Sequence, residues 1–423
     1  MITKIKKLTN TEDKKRLLSN FFSLSILQAF TYILPLLTLP YLVRVLGVEK
    51  FGLVMFAQAF IMFFNILVDY GFTLSATREI SINRNDNNKI TEIFSSVMII
   101  KIILILVSFI ILSIILFSFE KFSSNWDLYY LTFLVVIGQA LFPVWYFQGM
   151  EKMKYITIVN IASKLLFTIA IFIFIQNESD YILVPLLNGL GFILGGVLSL
   201  WIVYKNFNQS FALQSYQTLM IHLKDSSQFF LSRVSVGIYT SANVFVLGLF
   251  TNTTFVGYYS IAEKLYQAMQ QFYHPVVQAL YPYVAKERNI TLFKKVFLSI
   301  VVLNLFGVIF LYFTSEYIFN FLFTQEIGNE SITVFNILLI ANLIAVPSMV
   351  IGYPFLGALG FSKYANMSVI YASLFHLSGL YILIITHTVG IMSVAYLIIV
   401  TQIIDLSYRV FAVIKNKLFN IRR

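Results

Sequence analysis

Apolar runs long enough to cross a bilayer occupy most of this chain, and they leave few folds open to it. There are about twelve, each of roughly 20 residues or more. They fall at 19–43, 52–77, 94–118, 127–149, 156–175, 181–204, 227–250, 256–284, 293–314, 332–357, 365–386 and 391–413. In hydrocarbon every backbone N–H and C=O must be satisfied inside the protein, so runs of this length read as helices. The seventh and eighth are the least apolar. Only 12% of the 423 residues are charged, well below the share in soluble domains. The length therefore divides into spans, and the longest connections, near 78–93, 205–226 and 315–331, are too short for a soluble domain. Residues 1–18 are polar and the run after them exceeds a signal peptide's core, so no cleavable signal is expected. With no cysteine in the chain, disulfides, iron–sulfur clusters and thiol chemistry are excluded.

Charge fixes the orientation. If both termini are cytoplasmic, that side holds 23 of the 30 lysines and arginines, against three (Arg44, Lys50 and Lys121) on the other. Such a bias is the positive-inside pattern. It accounts for the net charge of +11 without a nucleic-acid partner, although anionic lipid is an expected neighbour. Trp126, Trp145 and Trp201 fall near span ends, as interfacial tryptophans do.

A polar stripe occurs twice. Gln58, Asn65, Asp69 and Thr73 follow Phe51-Gly52 at steps of seven, four and four, one face of a helix. Glu263, Gln270, His274 and Gln278 follow Val256-Gly257 at the same steps, offset by 205 residues. Two further matches support a duplication: Ser19-Asn20-Phe21-Phe22 with Ser227-Gln228-Phe229-Phe230, and Phe147-Gln148-Gly149 with Phe355-Leu356-Gly357. Polar groups facing lipid cost several kcal/mol each, so a repeated polar face predicts a wet cavity between matching halves. The expected architecture is an all-α membrane protein of about 12 helices. Two parallel six-helix lobes, 19–204 and 227–413, would be related by a pseudo-two-fold along the membrane normal. They would be joined by a linker at 205–226 and flanked by a cytoplasmic segment at 1–18 and a basic tail at 414–423.

Several runs resemble a known family. Leu39-Pro40-Tyr41-Leu42-Val43-Arg44-Val45-Leu46-Gly47 with Phe51-Gly52 is similar to the first-span motif of bacterial O-antigen and related polysaccharide repeat-unit flippases of the Wzx type. So are Asp69-Tyr70-Gly71-Phe72 with Ser75-Ala76-Thr77-Arg78-Glu79, and the run from Trp145-Tyr146-Phe147-Gln148-Gly149 to Lys154. The resemblance covers nearly the whole chain in length and span count, with its specific motifs in the first 160 residues. That family shares a superfamily with multidrug and toxin extrusion transporters. What the resemblance implies is a multi-pass protein of the bacterial inner membrane. It would move an undecaprenyl-diphosphate-linked oligosaccharide between leaflets, with polysaccharide polymerase and chain-length regulator as further partners.

A diphosphate and a sugar head need a wet, cationic route. Cations inside spans are its natural partners, each costing about 2.5–3.5 kcal/mol at the bilayer centre. Arg233 leads, because an arginine grips phosphate oxygens bidentately; a structural ion pair with Glu263 is the rival reading. Lys264 is weaker, since Glu263 beside it continues the stripe and is favoured for the lumen. Lys164 is explained as well by snorkelling to the surface as by substrate contact, and for Lys101 snorkelling is preferred. Arg44 and Arg78 sit at span ends, where interfacial anchoring competes with a gate or entry role that only the resemblance suggests. Asp69 and Glu263 are the expected ion-coupling sites, with proton and sodium both open. His274 could titrate near neutrality, but it precedes Pro275, where a kink is expected. Asp405 and Arg409, one turn apart, read as an intrahelical ion pair. No cofactor or metal is expected.

Enzyme motifs are missing: no Walker loop, HExxH helix or GxSxG elbow occurs. A membrane polysaccharide polymerase or ligase would need a large periplasmic loop. A cation-coupled drug exporter of the same superfamily would want an apolar, acidic cavity, whereas this chain offers mixed charge and many amides.

Overall fold

A computed structural model of the protein describes residues 12–323 and 328–420. The side chains of 231–240, and of most residues between 12 and 32, lie outside that description. Among the described residues the chain is helix and turn, with no strand. Helix α1 (Glu12–Asp69) runs through the first two apolar stretches and kinks at Gly47, whose φ of 70° and ψ of 167° suit glycine alone. Then come α2 (Phe72–Ile82), α3 (Asn87–Ser118), α4 (Trp126–Leu141), α5 (Val144–Gly149), α6 (Met153–Phe174) and α7 (Leu183–Asn206). The second half holds α8 (Tyr216–Phe250), α9 (Thr253–Glu287), α10 (Ile290–Leu322), α11 (Gly328–Ile351), a π-helical turn (Gly352–Gly357), α12 (Ser362–Ile385) and α13 (Ile391–Lys415).

Among the described residues nine helical stretches are long and apolar enough to cross a membrane. The first two runs merge into one stretch, Ile33–Ile82; in α8 the described residues leave only Ser241–Phe250 as an apolar helix, and α9 is too polar over its length to qualify.

The helices form two compact units, one of residues up to Thr38 with Ala57–Gly237, the other of Leu39–Phe56 with Ile238 onward. In unit 1, Phe72, Ile80, Phe94, Trp145, Tyr146 and Phe147 form a buried aromatic-rich core. Trp145 is 1% exposed and lies 5.8 Å from the Phe94 ring, so it is a core residue and not the interfacial anchor its position suggested. Trp126 and Trp201 are exposed. Helices α4 and α7 meet where small residues let their backbones close: a Cβ on Gly138 would sit 2.5 Å from the Ile193 nitrogen.

In unit 2, Phe293 stacks on Phe355 at 4.1 Å, within a core that includes Val284, Val346 and Ala412. The α1 segment in this unit presses on the start of α9. A Cβ on Gly52 would overlap the Thr253 carbonyl, and one on Gly257 would overlap the Val48 carbonyl. The two glycines matched by the sequence repeat thus face one another. The repeat shows again where the fourth apolar run of each half ends. In the first half Pro143, which has no N–H to donate, separates α4 from α5; in the second, α11 widens into the π-helical turn. Both close with an i→i−5 backbone bond of 2.8 Å, Lys152 to Phe147 and Phe361 to Leu356.

Candidate functional site

Each unit contains its own buried polar cluster. In unit 1 the stripe along α1 turns toward neighbouring helices: Asn65 Nδ2 donates to Gln139 Oε1 at 2.6 Å. Asp69 Oδ1 accepts from Thr73 Oγ1 at 2.6 Å and lies 3.9 Å from Lys101 Nζ. Lys101 is 4% exposed. It does not snorkel; it is enclosed beside a carboxylate, which offsets part of the cost of burying its charge. Gln58 is half-buried.

Lys164 donates to Thr31 Oγ1 at 2.9 Å. It lies in a small recess lined by Asn160, Ser163 and Asn188 together with Phe142, Phe167 and Phe192. Amides, a hydroxyl and an ammonium on an aromatic wall form a setting for an anion or a sugar hydroxyl.

The chain leaves α1 through Tyr70 and Gly71, both at positive φ. Gly71 is also pressed against α8, where a Cβ would come 2.8 Å from the Phe230 nitrogen. Tyr70 stacks on Phe230 at 4.6 Å, Ser75 bonds Ser226 at 2.7 Å, and Thr77 Oγ1 donates to the Thr73 carbonyl at 2.7 Å while lying 3.3 Å from both the Trp145 carbonyl and Gln148 Oε1. Arg84 bonds the Gly149 carbonyl and pairs with Glu151 at 2.8 Å. Much of what gives the sequence its family resemblance is therefore a packing joint within unit 1. Arg78, in the same segment, is exposed.

In unit 2, Glu263 is 9% exposed and its Oε1 accepts from the Tyr259 hydroxyl at 3.4 Å, while Lys264 is exposed. Gln270 donates to the Tyr266 hydroxyl at 2.7 Å. His274 is half-buried and Gln278 exposed, and α9 continues through Pro275 and Pro282. Arg44 donates to the Leu322 carbonyl at 2.8 Å and to that of Phe321, capping the C-terminal end of α10. Asp405 and Arg409 pair at 3.1 Å, as their spacing predicts. The Arg233 side chain lies outside the described residues.

Sequence reasoning passed over His376. It is 0% exposed, with Nδ1 2.9 Å from Thr401 Oγ1 and Nε2 2.7 Å from Asn243 Oδ1. The signal that could have found it was simply an ionisable residue inside a span.

An all-α, multi-pass membrane protein with buried ionisable clusters in both units has the character of a transporter. The fold matches a multidrug resistance MATE family transporter of the MOP superfamily in its inward-facing conformation. The TM-score is 0.69, covering 92% of this chain and 96% of that one at 15% identity. It also matches a MOP superfamily transporter from Pyrococcus furiosus, with a TM-score of 0.56, 98% of each chain and 12% identity. The family model described as "Polysaccharide biosynthesis protein" matches residues 17–288, and the chain belongs to that family. Two relatives bear the name "Putative O-antigen transporter". The one from Escherichia coli (strain K12) is 31% identical over 301 residues, 70% of this chain and 72% of the relative. The one from Shigella dysenteriae is 29% identical over 267 residues, 63% and 67% of the two chains.

Proposed function

We propose that this protein carries an undecaprenyl-diphosphate-linked oligosaccharide repeat unit, of O-antigen or a similar surface polysaccharide, from the cytoplasmic to the periplasmic leaflet of the bacterial inner membrane. The observation that carries this reading is the coincidence of polysaccharide family membership with a transporter fold whose spans enclose charges and amides. A drug carrier needs an apolar acidic cavity; a phosphorylated glycan needs cations, amides and aromatic walls, which the Lys164 recess supplies. Lys164 is assigned to the diphosphate, while the polyprenyl tail stays in lipid. Transport is by alternating access coupled to an ion, with Asp69 and Glu263 as the carboxylates available for coupling. Both termini face the cytoplasm, as the lysine and arginine distribution requires. The product is then open to a polymerase and chain-length regulator.

The test is a strain lacking the gene, examined for surface polysaccharide and for lipid-linked glycan retained in the inner membrane. Single repeat units accumulating beneath a bare surface, reversed by the intact chain but not by Lys164→Ala, would support the assignment. Surface chains one unit long would indicate a polymerase instead. Unchanged polysaccharide would overturn the glycan reading and favour drug export.

A further inference from the structure

At one end of unit 2, α9 and α13 finish and α10 and α12 begin around a single buried cluster. Val284, Phe293, Phe355, Ala365, Val413 and Leu418 belong to it. Exposed cations surround this cluster. Lys286 and Arg288 stand where α9 ends, and Lys294 and Lys295 in the second turn of α10. Lys363 opens α12, and Lys415 and Lys417 stand where α13 ends. Among the described residues the one carboxylate paired with any of them is Glu287, 4.0 Å from Lys286. Neither α10 nor α12 has an acidic residue in its first turn, so two helix N-termini add their positive partial charge to the same end.

The repeat shows that this excess is not built into the architecture. At the matching end of unit 1, α3 is capped by the carboxylate of Asp86, which accepts from the Lys89 backbone at 3.0 Å. In unit 2, α10 is capped by the neutral Asn289, which accepts from the Leu292 backbone at 2.9 Å. Glu151, at positive φ before α6, pairs with Arg84 at 2.8 Å; before α12 the residue at positive φ is Gly360. Lys89 bonds Glu92 at 2.6 Å, and His222 lies between Glu92 and Glu79. The same helix ends thus interleave carboxylates with their cations in one unit and leave the cations almost unopposed in the other. The side chains of residues 1–25, which carry further lysines of unit 1, lie outside the described residues.

The form of this charge indicates what would sit on it. All the cations but Arg288 are lysines, point charges on long flexible stems, and they are spread over four helix ends. One phosphate is gripped best by convergent, fork-like arginines, whereas a sheet of mobile anionic lipid heads is matched by dispersed lysines. The apolar surroundings fit the same boundary. Lys415 lies over the Phe411 ring at 5.6 Å and Lys294 over the Phe419 ring at 5.0 Å. Phe411 and Ile414 are exposed. Exposed rings beneath ammonium groups are the pattern of a membrane–water interface.

We propose that this end of unit 2 is a docking surface for the anionic phospholipids of the cytoplasmic leaflet, and that the matching helix ends of unit 1 are not. This rests on the orientation assigned above and is independent of what the protein carries.

The experiment places the full chain in phosphatidylcholine bilayers. Electron spin resonance measures how strongly spin-labelled phosphatidylglycerol is preferred over spin-labelled phosphatidylcholine at the protein surface. The expected result is a preference for phosphatidylglycerol that falls as salt is raised. It should be mostly lost when Lys295→Gln, Lys363→Gln and Lys417→Gln are combined, and kept when Lys152→Gln, Lys154→Gln and Lys224→Gln are combined. No preference in the unaltered chain, an unchanged preference in the unit 2 variant or equal loss in both variants would overturn the proposal. If the unit 2 variant fails to accumulate, Lys286→Gln with Arg288→Gln repeats the measurement at the same end, with the same outcomes deciding. Stronger retention of a spin-labelled polyprenyl diphosphate than of phosphatidylglycerol, lost in the unit 2 variant, would make this end a loading place for a diphosphate lipid and overturn the phospholipid assignment. Lipid preference is measured without transport, so failure of the glycan reading in the gene-deleted strain would leave it untouched.

Discussion

Asp69, at the end of α1, and Lys101, in the middle of α3, hold opposite charges 3.9 Å apart inside unit 1, with the lysine almost wholly enclosed. Removing either partner leaves the other charge uncompensated in a poorly hydrated place, whereas removing both does not. Asp69→Asn and Lys101→Met should each lower stability by about 3 kcal/mol. The double variant should regain most of the loss. Melting of the purified protein in detergent decides this; additive losses would mean that the two charges do not depend on one another.

Gly52 and Gly257 admit no side chain where α1 meets α9. Gly52→Ala or Gly257→Ala must push the helices apart, at about 1–3 kcal/mol each, and should lower both melting temperature and export. Gly307 is the control, since the nearest atom to an added Cβ is the Tyr273 hydroxyl at 4.0 Å. Equal tolerance at all three positions would contradict the close approach.

His222, near the start of α8, is enclosed between Glu79 at 3.0 Å and Glu92 at 3.5 Å, with Lys89 bonded to the same Glu92 at 2.6 Å. Burial disfavours the imidazolium, but the two carboxylates outweigh it and hold the pKa above the ordinary histidine value. Because the folded value is the higher one, the added stability is complete below about pH 6.5. It disappears as pH rises through the folded value. Melting temperature should therefore fall across that upper window in the wild type and stay flat there in His222→Gln. The reverse slope would refute the clamp.

Arg409 donates Nε to Ser368 Oγ at 2.8 Å and Nη1 to the Ser348 carbonyl at 2.6 Å, besides pairing with Asp405. A lysine can keep the ion pair but not the fork. Arg409→Lys should cost about 2 kcal/mol through the polar groups left unpaired. A Cβ on Gly352 would come 2.5 Å from Nη1, so Gly352→Ala should disturb the same cluster. If Arg409→Lys melts with the wild type, the fork is dispensable.

The helical fold was legible because apolar length in a bilayer admits only helices; the repeat was suggested by glycines and aromatics recurring at offsets of 205 to 208 residues. Close spacing along a helix was legible too: Asp405 and Arg409 meet as their four-residue step requires. Partners from different helices were not. His376 and Asn243 are 133 residues apart, and periodicity tells which face of a helix is polar, not which neighbour receives it. Trp145 misled for the same reason, since a span end reads as an interface until α3 is seen packed across it.

Composition and order along the chain thus determined that it is helical and crosses the membrane many times. These depend on transfer free energies and charge, which add residue by residue. Tertiary structure alone decided which buried charges are compensated and by whom: Lys101 by Asp69 and Arg409 by Asp405. A buried charge is stabilised only by groups within a few ångströms, and that proximity exists only once the helices have packed.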